Sequence, residues 1–147
     1  MQKRRLDAEI VLVPYFPNED VTLAWYQDPE LCRQVDGTPC VYTAEKLRRM
    51  YEFLSCHGQC FYIEYQGRLV GDVTLRDDAE VCIVVCRAYQ NRRIGRRCMQ
   101  GMLALAKEKG LREVRARIYP FNAQSQRMFE SVGFKRETGE WFVCPVP

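Results

Sequence analysis

Apolar and polar residues alternate along the chain in patterns that predict short strands and helices. Ile10 to Val13 is a β-branched run that predicts a strand, and Thr22 to Leu31 predicts a short helix interrupted at Pro29. Thr43 can cap a longer helix, because apolar residues recur behind it with helical spacing. These apolar residues are Leu47, Met50, Tyr51 and Leu54. One face of this helix is therefore expected to pack on a core.

A pair of strands joined by a tight turn is predicted next. Apolar residues alternate from Phe61 to Tyr65, Gln66-Gly67 forms the turn, and Leu69 to Leu75 resumes an extended pattern. Glu80 to Cys86 is almost wholly apolar and β-branched, which is typical of a strand buried on both faces. This segment is expected to be the central strand of a sheet.

The clearest helix of the chain follows that strand. Its apolar stripe consists of Ile94, Cys98, Met102, Leu105 and Ala106. Val114 to Ile118 then alternates as a strand, so strand, helix and strand predict a right-handed crossover between parallel strands. Asn122 can cap a last helix that ends at Gly133, and Phe134 to Cys144 predicts a closing hairpin. The order of elements places the chain in the α/β or α+β class.

Length and composition fit a soluble, folded protein. The 147 residues are expected to form a single domain over residues 1–147, and 47% hydrophobic with 28% charged residues disfavours disordered, collagen-like and coiled-coil classes. The longest apolar run, Val81 to Cys86, is far shorter than a membrane-spanning helix of about 20 residues. No signal-peptide pattern follows the basic start, so a cytoplasmic location without membrane contact is expected.

The eight cysteines are expected to be reduced thiols, because they are too few for a disulfide scaffold and no export signal is present. Cys56 and Cys60, with His57 between them, give the only indication of a metal site. Zinc sites usually show a second close pair of ligands, and this sequence has neither that pair nor a second histidine. No metal is therefore expected.

The positive charge of the chain is concentrated in one segment. The net charge is +3, and Arg87 to Arg97 contains five arginines and no acidic residue. This segment lies where the apolar strand ends and the clearest helix begins, and a helix start offers unpaired N–H groups to an anion. Gly95 permits close approach of a ligand to the backbone. A phosphate site is the sharper interpretation, and a solvated basic turn is the simpler one.

Two motifs then carry a resemblance to a known family. Tyr89 to Arg97 resembles the acyl-CoA pyrophosphate loop, Q/R-x-x-G-x-G/A, of the GNAT N-acetyltransferase superfamily. Gln90 and Gly95 match, and Arg93 stands in place of the first glycine, where it can present its N–H provided that its φ is negative. Asn122 to Phe134 is similar to the second family motif, at the usual separation. Trp25 to Glu30 also resembles, more weakly, the branch that acetylates ribosomal-protein N-termini.

The resemblance implies a mixed, twisted GNAT-like sheet of six to seven strands with about four helices. Its central parallel strands splay apart around acyl-CoA. Acetyl-CoA is then the co-substrate, and no metal takes part. The implied contacts to pantetheine come from Ile83, Val84, Val85, Asn122 and Ser125. The implied pyrophosphate cradle consists of Gln90, Asn91, Arg92, Arg93, Ile94, Gly95, Arg96 and Arg97.

Catalysis by such an enzyme requires that the amine lose its proton before it attacks. Glu80 corresponds roughly to a base used in some branches of the superfamily. Another base position carries Arg117, which cannot accept a proton. The family's tyrosine acid falls at Phe129, so Tyr119 is the alternative donor to the leaving thiolate. Glu80 and Tyr119 are the candidate catalytic residues.

Three functions remain open from the sequence. They are an N-acetyltransferase acting on a primary amine, a catalytically weak acyl-CoA-binding sensor or partner module, and a nucleic-acid patch. The last is disfavoured, because five arginines in one loop do not make a broad basic face. The acceptor is expected to be a cationic small molecule or peptide N-terminus, and the protein a monomer or homodimer. The aromatic and acidic residues on which this expectation rests are Trp25, Tyr26, Asp28, Glu30, Glu45, Glu52, Glu137 and Glu140.

Overall fold

Eight strands and five α-helices form the fold in the computed structural model, which describes residues 1–147. The strands are β1 (Arg4–Arg5), β2 (Ile10–Pro14), β3 (Gly58–Tyr65), β4 (Arg68–Arg76), β5 (Val81–Val85), β6 (Glu113–Arg117), β7 (Lys135–Thr138) and β8 (Trp141–Pro145). The helices are α1 (Glu19–Thr22), α2 (Pro29–Asp36), α3 (Ala44–Cys56), α4 (Ile94–Glu108) and α5 (Ala123–Ser131). Short 3-10 helices cover Leu23–Gln27 and Arg87–Tyr89. None of the helices is both long and apolar enough to cross a membrane.

The strands form two antiparallel sheets that meet at one point. The first sheet has the order β1-β2-β3-β4-β5, and the second has the order β6-β8-β7. A single parallel bridge between Glu80 and Arg115 joins them, and the Arg115 N–H donates to Ala79 O at 2.9 Å. No ladder continues past this bridge, so β5 and β6 part and leave an opening between them. The splayed GNAT-like architecture is confirmed, with more strands and helices than the sequence predicted.

The first sheet carries a hydrophobic cluster on each face, because successive side chains of a strand point to opposite sides. Phe61, Val73 and Ile83 enter the larger cluster, which α4 and α5 cover. Tyr62 and Val84 enter the smaller cluster, which α2 and α3 cover. The two clusters place helices on both sides of β5, the strand that borders the opening.

Pro29 begins a helix instead of interrupting one. It occupies the first turn of α2, and Asp28 caps that helix by accepting the Glu30 N–H at 3.0 Å. A proline at this position costs no hydrogen bond, because the first N–H groups of a helix have no partner. The single helix expected from Thr22 to Leu31 is therefore wrong. The cap at Thr43 is confirmed, since its hydroxyl accepts the Lys46 N–H at 3.2 Å.

Strand β5 packs against a hydrophobic cluster on each face, as the sequence predicted, but it is less buried than expected. Val81 and Val84 are buried, whereas Cys82, Ile83 and Val85 are only half-buried. The difference arises because β5 borders a cavity on the side where it has no neighbouring strand. An apolar strand can line a binding site as well as a core, and its sequence alone does not distinguish the two cases.

Candidate active site

A cavity of about 800 Å³ occupies the opening between β5 and β6 and extends along both of its sides. At one end, called here the loop end, it is bounded by Tyr89 to Arg96, which lead into α4. At the other, called here the helix end, the lining includes Tyr26 of the 3-10 helix Leu23–Gln27, Asp36 of α2, Tyr42 of the connection between α2 and α3, and Asp72 of β4. The lining between these ends is formed by Glu80 to Val85 and by most residues of the segment from Ile118 to Ser125. The cavity thus connects a basic segment to an acidic and aromatic one.

The backbone of the loop end is arranged to bind an anion. The N–H groups from Asn91 to Arg96 donate to no carbonyl oxygen of the chain. Asn91 and Arg93 have φ values of +64° and +62°, so both adopt the left-handed conformation. The condition of a negative φ at Arg93 is therefore not met, and the arginine adopts a left-handed conformation of the kind that glycine adopts readily. Consecutive free N–H groups at a helix start suit a phosphate or pyrophosphate.

The five arginines of this segment do not act together. Arg93 and Arg96 line the cavity. Arg97 turns away, because its Nη1 lies 3.1 Å from Asp7 Oδ2 and 2.9 Å from Glu9 Oε1. The two others are also engaged elsewhere: Arg92 lies over the Tyr89 ring, and Arg87 lies 3.7 Å from Asp28. The cradle predicted over Arg92 to Arg97 therefore has two arginine side chains on the cavity, and Arg97 anchors the N-terminal segment to α4.

The edge of β5 that faces the opening has no neighbouring strand, and one of the backbone groups that it exposes, the Val85 carbonyl, already accepts Gln90 Nε2 at 2.9 Å. Cys86 N–H donates to Val70 O at 2.8 Å, and Val84 pairs in register with Asp72 on β4. Backbone groups alternate in direction along an antiparallel strand, so those of Ile83 and Val85 point away from β4 and toward the opening. Among the three β5 residues predicted to hold pantetheine, Val84 has its backbone groups directed at β4. The backbone groups of Ile83 and Val85 are on the open side.

Gln90, Asn122 and Ser125 all line the cavity, and two of them have structural contacts. Gln90 Nε2 donates to Val85 O at 2.9 Å and to Gln34 Oε1 at 3.0 Å. Asn122 caps α5, because its Oδ1 accepts the Ser125 N–H at 3.1 Å. The side-chain hydroxyl of Ser125 and the amide nitrogen of Asn122 have no partner in the chain and are free to contact a ligand.

Glu80 and Tyr119, the candidate catalytic residues, lie on the same cavity. Arg76 Nη1 donates to Glu80 Oε1 at 3.2 Å, so the carboxylate is held as an ion pair at the start of β5. The Tyr119 ring stacks on Phe121 with centroids 5.6 Å apart, and its hydroxyl has no partner in the chain. Phe129, which stands at the tyrosine position of the family, is buried. The structure brings an acid and a hydroxyl to the opening, and the catalytic roles of Glu80 and Tyr119 stay predictions.

Asp72 is a cavity residue that the sequence analysis missed. It lies on β4 and only 2% of it is exposed. Tyr26 and Tyr51 donate their hydroxyls to Asp72 Oδ2 at 2.6 and 2.8 Å. Burial raises the pKa of Asp72 to about 6, and the two tyrosine hydrogen bonds partly offset this effect. The available signal was an aspartate inside an apolar strand, because a buried charge is costly and rarely kept without a use.

Comparison with known proteins decides the family. The family model for the acetyltransferase (GNAT) domain matches residues 9–135. The chain belongs to the GNAT acetyltransferase family. It is an acetyl-CoA-dependent N-acetyltransferase.

Solved structures show the same GNAT fold over nearly the whole chain. A GNAT-family acetyltransferase from Bacillus anthracis aligns with a TM-score of 0.83 at 17% identity, covering 97% of this chain and 98% of that one. Spermidine N-acetyltransferase from Vibrio cholerae, in complex with CoA and spermine, aligns at 0.79 and 14% identity, covering 95% and 97%. RimL, a ribosomal L7/L12 α-N-protein acetyltransferase in complex with CoA, aligns at 0.79 and 12% identity, covering 98% of each chain. At these identities the likeness establishes the fold.

The acidic residues expected to receive the acceptor of this GNAT domain all lie outside the cavity. Among the eight aromatic and acidic residues singled out from the sequence, only Tyr26 lines it. Glu30 pairs with Arg33 at 2.8 Å, and Glu140 pairs with Arg117 at 2.7 Å. The carboxylates that do line the cavity are Asp36, Asp72 and Glu80. The acidic character of the site therefore comes from residues other than those first selected.

Proposed function

We propose that this GNAT domain transfers the acetyl group of acetyl-CoA directly to a primary amine in the cavity between β5 and β6. One observation carries the proposal: Asn91 and Arg93 to Arg96, whose N–H groups are free, line the same cavity as the edge of β5 that has no neighbouring strand. The first suits a pyrophosphate, and the second suits the amide groups of pantetheine. CoA contains both groups in one molecule.

The residues at the loop end are proposed to hold the pyrophosphate. The backbone N–H groups supply the hydrogen bonds, and Arg93 and Arg96 supply positive charge. Pantetheine then lies along Ile83 and Val85, within reach of the free amide of Asn122 and the hydroxyl of Ser125. This arrangement directs the thioester into the opening.

The chemical step is a nucleophilic attack by the neutral amine on the thioester carbon. A C–N bond forms and the C–S bond breaks, and an N–H on the open edge of β5 stabilises the developing oxyanion. The proton of the amine passes to Glu80 through water, since Glu80 and Ile83 lie three residues, or about 10 Å, apart along the strand. Tyr119 returns a proton to the CoA thiolate.

The acceptor is proposed to be a cationic primary amine, either a small molecule or a peptide N-terminus. The cavity carboxylates Asp36, Asp72 and Glu80 support this choice, because they lie away from the arginines of the loop end. A cytoplasmic location and a monomeric or homodimeric state stay predictions. The alternative is a catalytically weak acyl-CoA sensor or partner module. The observation that supports this alternative is the absence of a hydroxyl at Phe129.

Calorimetric titration with acetyl-CoA tests the binding part of the proposal. A Cβ at Gly95 comes within 3.4 Å of Met128 Cε and 3.9 Å of Ile83 Cδ1, so Gly95→Glu places a carboxylate at the loop end. Affinity is expected to fall at least about tenfold, or about 1.4 kcal/mol. Gln100→Glu, on the exposed side of the same helix, adds the same charge and is expected to bind like the wild type. Equal affinity in all three proteins contradicts the assignment.

A further inference from the structure

The buried carboxylate of Asp72 has one oxygen that the chain leaves without a hydrogen bond. Tyr26 and Tyr51 both donate to Oδ2, and no donor reaches Oδ1. Only two fully buried side-chain polar atoms lack a hydrogen-bond partner in this protein, Arg4 Nε and Thr74 Oγ1. Because Asp72 Oδ1 is not one of them and Asp72 lines the cavity, this oxygen borders open space at the helix end.

No cation of the chain neutralises this carboxylate. The ion pairs of the protein do not include Asp72. The lysine of the neighbouring helix, Lys46, lies instead 3.9 Å from Asp36 Oδ2 and 4.2 Å from the centre of the Tyr42 ring. With its pKa at about 6, Asp72 is mostly ionised at pH 7.5. A buried charge is normally paired, so a cation from outside the chain would complete this site.

Tyr26 and Tyr51 reach this carboxylate through their hydroxyls, and Tyr42 packs beside Tyr26 with Lys46 already 4.2 Å from its ring centroid. The rings of Tyr26 and Tyr42 have centroids 4.8 Å apart, and those of Tyr26 and Tyr51 are 6.3 Å apart. Tyr26 and Tyr42 both line the cavity. Ring faces attract ammonium groups, and the attraction is stronger where water is excluded. An uncompensated carboxylate close to tyrosine rings favours an alkylammonium group over a neutral polar group.

The place of Asp72 in the sheet separates this site from the reacting centre. Asp72 lies opposite Val84, and the thioester in the proposed function lies beyond the far edge of β5. Two strand spacings of about 4.8 Å put the thioester about 10 Å from Asp72. At this distance Asp72 does not contact the reacting nitrogen directly and, like Glu80, reaches it only through intervening water. A second nitrogen of the same acceptor can instead contact Asp72 directly.

We infer that Asp72, with Tyr26 and Tyr42, binds a second ammonium group of the acceptor, so that the acceptor is a diamine or a longer amine of that kind. The inference rests on the proposed function for the position of the thioester. With about 3 Å for contact at each end, the two nitrogen atoms are separated by about 4 to 6 Å. An extended chain of three or four carbons spans that distance, at about 1.25 Å per bond.

Binding of diamines to the CoA-loaded protein tests the inference without any turnover. The probes are 1,3-diaminopropane and 1,4-diaminobutane, and butylamine is the matched monoamine. Calorimetry at pH 7.5 is expected to show the wild type binding the diamines at least tenfold more tightly than butylamine. Asp72→Asn keeps an acceptor for both tyrosines and removes the charge, so it is expected to abolish this preference. Glu45→Gln, an exposed carboxylate of α3, is expected to retain it.

The outcomes separate the inference from the proposed function. An equal affinity of the wild type for diamines and butylamine overturns the inference, and needs no variant to be folded. A diamine preference that survives in a folded Asp72→Asn protein also overturns it, and leaves Asp72 with a structural role only. Unchanged acetyl-CoA affinity in Asp72→Asn is expected, because the CoA groups lie elsewhere. A wild-type protein that does not bind acetyl-CoA instead contradicts the proposed function.

Discussion

The side chain of Gln90 donates to the carbonyl oxygen of Val85 at 2.9 Å and thereby ties the arginine-rich loop to the open edge of β5. The same amide nitrogen lies 3.0 Å from Gln34 Oε1, so α2 is held to the loop as well. This bond fixes the distance between the free N–H groups at the loop end and the backbone groups of Ile83. The two parts of the proposed CoA site thus depend on one side chain.

Replacement of Gln90 tests this connection. Gln90→Leu preserves size and removes both hydrogen bonds, so the unfolding free energy is expected to fall by about 1 kcal/mol. Acetyl-CoA affinity is expected to fall about tenfold, because the loop loses its fixed position. Gln100→Leu, at an exposed position of α4, serves as the control for both measurements. Wild-type affinity in Gln90→Leu shows that the tie is not needed for binding.

Arg93 carries a backbone strain that a glycine relieves. Its φ of +62° lies in the left-handed region, which costs a residue with a side chain about 1 kcal/mol. Arg93→Gly is therefore expected to unfold at an equal or higher temperature than the wild type. Arg96→Gly, within the first turn of α4, removes the same charge from a helical position and is expected to destabilise by up to about 1 kcal/mol. Thermal unfolding that ranks the two variants in the opposite order contradicts the strain.

Asp72 predicts an unusual dependence of stability on pH. Its pKa is raised from 3.8 to about 6 in the folded protein, so the folded protein retains a proton that the unfolded chain releases. This group therefore favours folding below about pH 4, and its contribution is lost as the pH rises to about 6, by a total on the order of 3 kcal/mol. Asp72→Asn has no such loss.

The difference in melting temperature, Asp72→Asn minus wild type, is accordingly expected to grow between about pH 4 and pH 6.5. Taking the difference removes the opposite trend from carboxyls whose pKa values are lowered by arginine, such as Glu9 beside Arg97. A difference that is constant across this range shows that Asp72 titrates in the same way in the folded and unfolded chain.

Glu80 is expected to affect the rate through proton transfer. Glu80→Gln is predicted to lower the rate by about 10²-fold at pH 7 and by less at high pH, where the neutral amine is plentiful. Glu113→Gln, an exposed residue of β6, is the matched control. A pH–rate profile of unchanged shape in Glu80→Gln removes Glu80 from the mechanism, and the ion pair with Arg76 then has a structural role.

The sequence predicted most elements because local rules decide them. Thr43 and Asn122 cap helices as their side chains allow, and Gly110 and Gly133 follow α4 and α5 with positive φ. Pro29 was misread because a proline can begin a helix as well as interrupt one. In each case the information that decides the local structure lies in one residue and its near neighbours. For Pro29 this information is compatible with two structures, the start of a helix and the interruption of one.

The candidate site was predictable only in part, because its chemistry depends on contacts between distant segments. The loop end could be identified, since the strand end, the helix start and the charges adjoin in sequence. The engagement of Arg97 by Asp7 and Glu9 joins residues some 90 positions apart, and no local pattern indicates it. Asp72 meets Tyr26 and Tyr51 only through packing of helices on the sheet, so its role emerges from the fold alone.

Release of the CoA thiol reports directly on acetyl transfer to an amine in this cavity. The wild type is incubated with acetyl-CoA and a panel of diamines, monoamines and peptides, and both free thiol and the mass of the amine are measured. One thiol is expected to be released for each acetylated amine, and both signals are expected to be lost in Gly95→Glu. Tight binding of acetyl-CoA by the wild type with no thiol released for any amine contradicts acetyl transfer, and identifies the domain as an acyl-CoA-binding module.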